Sequence, residues 1–247
     1  ATTRPVKVIV LLGGADFWSN GIHLNLIEAA DENGSTAAEA SWANINAIDD
    51  LAESILRCES QLTVAAVGAN AGAGGCFLAR ACDQVWVRDG VILNPHYKNM
   101  GNLYGSEFWT YLLPPRVGHA GAQAIMQHRL PMGAAESVRL GFYDQCLPAA
   151  SFAVDVARRA LELASHPEIC GQLASKAQKR AADEAQKPLA RYRQEELTEM
   201  QRNFFGFDPS YHVARYHFVL KSPHSWTPRH LDQHRDLPQP TPDTRPT

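Results

Sequence analysis

Two short stretches place small residues where chemistry on a carbonyl group would need them. Trp18-Ser19-Asn20-Gly21-Ile22-His23-Leu24 follows an apolar run at 6–12, and Asn70-Ala71-Gly72-Ala73-Gly74-Gly75-Cys76 follows a second at Leu62–Val67. Glycines at a strand-to-helix turn let peptide N–H groups face a ligand with no side chain in the way. Two such turns side by side can each aim one N–H at a single oxygen, the geometry of an oxyanion hole. No carboxylate ends the second turn, where Phe77 follows Cys76. The pattern Gly72-Ala73-Gly74-Gly75 also lacks the marks of a nucleotide loop. It does not open the first strand–helix unit, and no Lys-Ser/Thr follows it. Close packing of helix on strand is the other reading of this loop.

The elements that must hold these turns alternate. Residues 6–12, Leu62–Val67, Gln84–Arg88 and 90–93 read as strands, the first two as runs buried on both faces. Ser41 reads as the N-cap of a helix to about Cys58, with Trp42, Ile45, Ile48, Ala52, Ile55 and Leu56 on one face. A short helix over 75–82 follows the second turn. This order predicts an α/β fold with a largely parallel sheet. After Pro95 the pattern predicts helices at 104–113, 119–128, 133–140, 149–165, 168–186, 189–205 and 209–221, with one strand at 143–147. The tail 236–247 holds four prolines and almost no apolar residue, and should be disordered.

A chain of 247 residues with 45% hydrophobic residues is long and apolar enough to bury a full core. The charge is unevenly placed. Residues 1–170 carry 11 Lys/Arg against 17 Asp/Glu, and residues 171–235 carry 11 against 7. The basic segment is either a set of solvated helix faces or a surface for an anionic ligand such as a nucleotide phosphate. Nucleic acid is disfavoured, because no basic cluster is interleaved with aromatics. The five cysteines form no CxxC pair and several lie in apolar patterns, which predicts reduced, buried thiols in a cytoplasmic protein. No apolar run reaches membrane-spanning length and no signal peptide is visible. The opening at Ala1, almost at once in a strand, predicts a piece of a longer protein.

Three motifs together resemble the crotonase superfamily, the enoyl-CoA hydratases and isomerases. Phe17 to Leu24 is similar to its first signature. Residues 62–83, with Cys76-Phe77-Leu78-Ala79 and Cys82-Asp83, are similar to its second. Gly133-Ala134-Ala135-Glu136-Ser137-Val138-Arg139-Leu140-Gly141-Phe142-Tyr143-Asp144 is similar to its later helix-to-strand motif. The resemblance covers roughly 6–165. It implies a crotonase-like ββα spiral over 1–165, lacking the family's first strand and helix, then a helical C-terminal region over 166–235. It further implies a coenzyme A thioester substrate, with an oxyanion hole from the N–H groups of Ile22 and Gly74. Asn20, Gly21, His23, Gly72 and Gly75 would line that site. Hydratases of the family use two glutamates. The matching positions here are Phe77 and Tyr97, and neither is a base near neutral pH. Enoyl-CoA hydration by the usual route is therefore disfavoured.

The stretch 93–111, dense in polar aromatics, and Ser225 to His230 resemble a narrower group, the crotonase-like C-terminal domain of a hydrogenase maturation factor. That group implies formyl-CoA as substrate, carbon monoxide and CoA as products, an upstream formyltransferase-like domain, and hydrogenase maturation proteins as partners. For that chemistry Tyr97, Tyr104 or Tyr111 could pass a proton to sulfur, and Glu107 or His96 could accept one. Lys98, Lys221 and Arg229 are candidates for the CoA phosphates. Tyr111, Trp109 and Phe108 fit core packing at helical spacing equally well, and Glu107 early in a helix is favoured on electrostatic grounds alone. The histidines after 211 have no metal-site spacing, so no metal is expected. Two other readings stay open: another acyl-CoA isomerase, hydrolase or lyase, or a non-catalytic module that binds CoA or docks on a partner.

Overall fold

A computed structural model describes residues 5–222 of the chain. The described strands are β1 (Val8–Leu12), β2 (Phe17–Ser19), β3 (Leu62–Val67), β4 (Asn70–Gly72), β5 (Gln84–Arg88), β6 (Ile92–Asn94), β7 (Met132–Gly133) and β8 (Gln145–Leu147). The helices are α1 (Leu24–Glu28), α2 (Ala37–Leu56), α3 (Gly74–Arg80), α4 (Trp109–Leu112), α5 (Pro114–Gln127), α6 (Ala134–Arg139), α7 (Phe152–Ser165), α8 (Ile169–Gln186), α9 (Leu189–Phe205) and α10 (Ser210–Val219).

Two sheets are built rather than one. β1, β3, β5 and β8 pair in that order, all parallel. β2, β4 and β6 run parallel beside them in a second sheet, which β7 closes antiparallel. Each early turn of the chain gives one strand to each sheet and then a helix, which is the winding of a ββα spiral. The short strands β2, β4 and β7 escape the sequence because they are only two or three residues long. β2 and β4 run into the two glycine stretches and fix them in space: Phe17 pairs with Asn70, and Gly72 with Asn94.

Several expectations need correction. β3 is buried along its whole length, but β1 is the outer strand of its sheet, with Leu12 mostly exposed. α2 begins four residues before Ser41. Thr36 caps it, accepting from the Glu39 N–H while Glu39 accepts from the Thr36 N–H. The Ser41 hydroxyl lies inside the helix, bonded to the Ala37 carbonyl and the Tyr211 hydroxyl. The expected helix over 104–113 shrinks to α4, because Gly105, Glu107 and Phe108 all take left-handed φ. α5 starts at Pro114, with a break at Gly118. The expected strands at 90–93 and 143–147 appear as the shorter β6 and β8. Cys170 is exposed, whereas Cys76 and Cys82 are buried.

The C-terminal helices close over this core. Ile45, Ala52 and Ile55 on α2 and Leu189, Met200 and Phe204 on α9 point inward at helical spacing. The basic charge of this region is met within the chain: Lys176 pairs with Asp83, Arg180 with Glu184, Lys187 with Glu195, and Arg193 with Asp50. That favours structural helix faces over an anion-binding surface for these residues. The 236–247 tail and Arg229 lie outside the described residues.

Candidate active site

The two glycine turns meet. Gly21 takes φ 78°, and a Cβ there would sit 3.2 Å from the Gly74 nitrogen. Behind them, a Cβ on Gly75 would collide with the Ser19 carbonyl, and Asn20 Oδ1 lies against Gly72. At Gly21 and Gly75 glycine is required because backbone passes over backbone. Ala73, at φ 46°, turns the chain into α3, and its own N–H is held by the Asn94 carbonyl at 2.9 Å. Among the described residues, neither the Ile22 nor the Gly74 N–H has a hydrogen-bond acceptor. Both amides lie on turns that touch at Gly21 and Gly74, and both are free to donate. His23 has a local task, since its Nδ1 accepts from the Leu26 N–H and caps α1.

Over Gly74 lies Glu107. A side chain on Gly74 would collide with its Oε1, so the carboxyl rests on the bare Cα. The Tyr97 hydroxyl donates to Glu107 Oε2 in a short hydrogen bond. The Tyr97 ring packs flat on Gly105 and stacks on Phe77, with centroids 5.8 Å apart and planes 15° apart. Tyr97, Phe77 and Glu107 are all buried. Burial pushes the Glu107 pKa well above the usual carboxylate range, and the charge of Asp49 adds to it. Burial and then the neighbouring Glu107 push the Tyr97 hydroxyl well above 10. The pair is held toward its protonated, neutral state among buried aromatic rings.

Glu107 reaches this position on a backbone that most residues avoid. Glu107 has φ 59° and Phe108 φ 61°, each costing roughly 1–3 kcal/mol against an ordinary conformation. Two buried carboxylates, absent from the sequence-based candidates, hold these peptides. Asp49 accepts from the Glu107 N–H at 2.9 Å and from the Ser106 hydroxyl at 2.6 Å. Glu196 accepts from the N–H groups of Phe108 and Thr110 at 2.9 and 2.8 Å. Burial lifts Asp49 to about 6 and Glu196 to about 8. A usable signal was present in the sequence: each carboxylate stands at helical spacing from apolar residues, Ile45 and Ala52 on α2, Leu189 and Met200 on α9.

The remaining candidates separate. Tyr104 packs at a tilt against Trp109 and, with Tyr111, lines a cavity of about 560 Å³ bounded by α4, α5 and α8. The Tyr111 hydroxyl donates to Asp183 at 2.7 Å and accepts from Arg180, so its proton is engaged away from Tyr97. His96 is buried beside Arg129 and His128, and burial lowers its pKa, so its imidazole is kept neutral. Lys98 is half-buried, and its carbonyl accepts from Arg129. Lys221 places its ammonium over the Phe218 ring. None of His96, Lys98 or Lys221 is joined by a hydrogen bond or ring contact to the Tyr97–Glu107 pair. Among the described residues no group of three or more His, Cys, Asp or Glu is disposed to hold a metal ion, and no helix is long and apolar enough to cross a membrane.

The model of the enoyl-CoA hydratase/isomerase family matches residues 1–227. The hydrogenase maturation factor HoxX of Bradyrhizobium diazoefficiens is 55% identical over 236 residues, covering 95% of this chain and 41% of its own length. The crystal structure of HypX from Aquifex aeolicus in complex with tetrahydrofolic acid superposes with a TM-score of 0.87 at 45% identity, covering 96% of this chain and 42% of that one. An enoyl-CoA hydratase from Mycobacterium avium subsp. paratuberculosis shares the fold, with a TM-score of 0.67 at 22% identity over 87% of this chain and 81% of its own. The chain thus spans about two fifths of the maturation factors it matches.

Proposed function

The chain belongs to the enoyl-CoA hydratase/isomerase family, and we propose that it splits formyl-CoA into carbon monoxide and CoA as part of a hydrogenase maturation factor. The observation that carries this reading is the Tyr97–Glu107 pair seated over Gly74, with Phe77 where a hydratase carries a water-activating glutamate.

The reaction is redox-neutral. The formyl C–H and C–S bonds break, the carbon keeps its electron pair and leaves as carbon monoxide, and sulfur gains a proton. The Ile22 and Gly74 N–H groups receive the thioester oxygen and stabilise the charge that develops on it. The Tyr97–Glu107 pair first delivers a proton to sulfur and, left one proton short, accepts the formyl proton in its place. Their mutual hydrogen bond lets the pair return to its starting state without net gain or loss of a proton. Phe77 and the buried ring of Tyr97 keep water from the carbonyl, so that hydrolysis to formate is suppressed.

The relatives supply context for the substrate. The HypX structure carries tetrahydrofolic acid, a one-carbon carrier, which suits a formyl donor in the part of such factors that lies outside this chain. The test is to supply formyl-CoA to the full-length protein and trap carbon monoxide on reduced haemoglobin. Release of carbon monoxide matched by free CoA supports the reading. Formate with free CoA indicates a hydrolase, and binding without turnover indicates a CoA-binding module.

A further inference from the structure

The irregular stretch from Tyr104 to Thr110 carries Glu107, yet it forms little ladder of its own. Its peptide N–H groups are received by side chains of two helices. Asn203, Met200 and Glu196, on one face of α9, accept from Tyr104, Gly105, Phe108 and Thr110. Asp49, from α2, accepts the Glu107 N–H with Oδ1 and the Ser106 hydroxyl with both carboxylate oxygens. Where the backbone turns left-handed at Gly105, Glu107 and Phe108, these side chains define its path.

We propose that Asp49 is a positioning residue of the site. By holding the Glu107 N–H and the Ser106 hydroxyl, it fixes the direction in which the Glu107 carboxyl leaves the backbone, over Gly74 and onto Tyr97. This rests on the reading of Tyr97–Glu107 as the proton-carrying pair. Asp49 itself reaches neither Gly74 nor Tyr97 by any hydrogen bond.

Its charge has a second, separable consequence. Glu107 is faced by Asp49 of α2, the Cys76 thiol of α3, Tyr97 of the loop after β6 and Glu196 of α9. Asp49 is itself faced by Asp50 and by Arg193 at 3.8 Å, and that arginine is already held by Asp50 and Glu53. An ionised Asp49 therefore opposes ionisation of Glu107. Asp49→Asn keeps an acceptor at the Oδ1 position and removes the charge, while its amide can donate to the Ser106 hydroxyl. Asp49→Ala removes both.

The experiment uses full-length protein and three readouts: carbon monoxide release from formyl-CoA between pH 5.5 and 9, CoA affinity, and the infrared band of the Glu107 carboxylic acid. That band is identified by difference from Glu107→Gln. Asp49→Ala should lower kcat at least tenfold, with CoA affinity within threefold of wild type. Asp49→Asn should recover kcat to within threefold. It should also move the loss of the Glu107 acid band to lower pH, by about a unit. If Asp49→Ala does not fold, Asp49→Ser, one bond shorter, takes its place. Wild-type kcat per folded molecule in Asp49→Ala, or equal losses in Asn and Ala, overturns the positioning role. A wild-type protein that releases no carbon monoxide overturns the proposed reaction instead. The Glu107 band then judges Asp49 alone, and an unmoved band in both variants refutes the link.

Discussion

The carboxyl of Glu107 rests on the Cα of Gly74, so closely that one added methyl would collide with Oε1. The residue whose amide is proposed for the oxyanion hole thus also makes room for the proposed acid–base group. Gly74→Ala should leave the amide in place but displace the carboxyl. Turnover of formyl-CoA should fall about a hundredfold or more, the usual worth of a general acid–base group. Overpacking should cost about 1–3 kcal/mol of stability. Steady-state kinetics beside a thermal melt check both, and an active Gly74→Ala would show that Glu107 need not occupy this position.

Tyr97→Phe removes only the hydroxyl. Stacking on Phe77 and packing on Gly105 survive, so fold and CoA affinity should be kept while carbon monoxide release falls by about 10²–10⁴. Because burial raises the Tyr97 pKa, the wild-type rate should show no alkaline loss from this hydroxyl up to pH 9. An alkaline limb that vanishes in Tyr97→Phe would contradict that.

Phe77 lies in face-to-face contact with Tyr97 and edge-on to Phe142. Phe77→Leu should open room for a water beside the pair and raise the formate share of the products several-fold. Introducing glutamate there would add a carboxylate to a buried region that already holds Glu107, Asp49 and Glu196, and burial would oppose its ionisation. Product analysis of Phe77→Leu by proton NMR is the cleaner measurement; an unchanged formate share would mean that water is excluded by other groups.

Asp49 also links stability to pH. Its pKa rises from an unfolded value of 3.8 to about 6 on folding. Between these values the folded state holds a proton that the unfolded state has lost, so this contribution is full below pH 4 and is lost as pH rises through 6. Asp49→Asn does not titrate. The melting temperature of the wild type minus that of Asp49→Asn should therefore fall between pH 4 and 6.5 and then level off. A difference that rises over this window would reverse the sign and refute a raised Asp49.

Much of the scaffold was legible because it repeats. The glycine turns follow strands of continuous apolar residues, and β3 and β5 have the bounds their sequence predicts. The Tyr97–Glu107 pair was not legible as a pair. Its members stand ten residues apart in a stretch without periodicity, and the spacing of Tyr104, Phe108, Trp109 and Tyr111 imitates a helix. Gly105 and two left-handed residues break that helix, and only the acceptors on α2 and α9 make the break affordable. Asp49 and Glu196 belong to no motif, and a carboxylate on a helix ordinarily faces water. Their position on the stripes of Ile45 and Ala52, and of Leu189 and Met200, marked them as buried.

The most direct test of the account follows the labelled carbon of [¹³C]formyl-CoA in the full-length protein and in Glu107→Gln. The account predicts that wild type sends most of the label to carbon monoxide, with free CoA in equal amount. Glu107→Gln should bind CoA normally but release carbon monoxide at least a hundredfold more slowly. Label found chiefly in formate, or carbon monoxide released by Glu107→Gln at the wild-type rate, would contradict it.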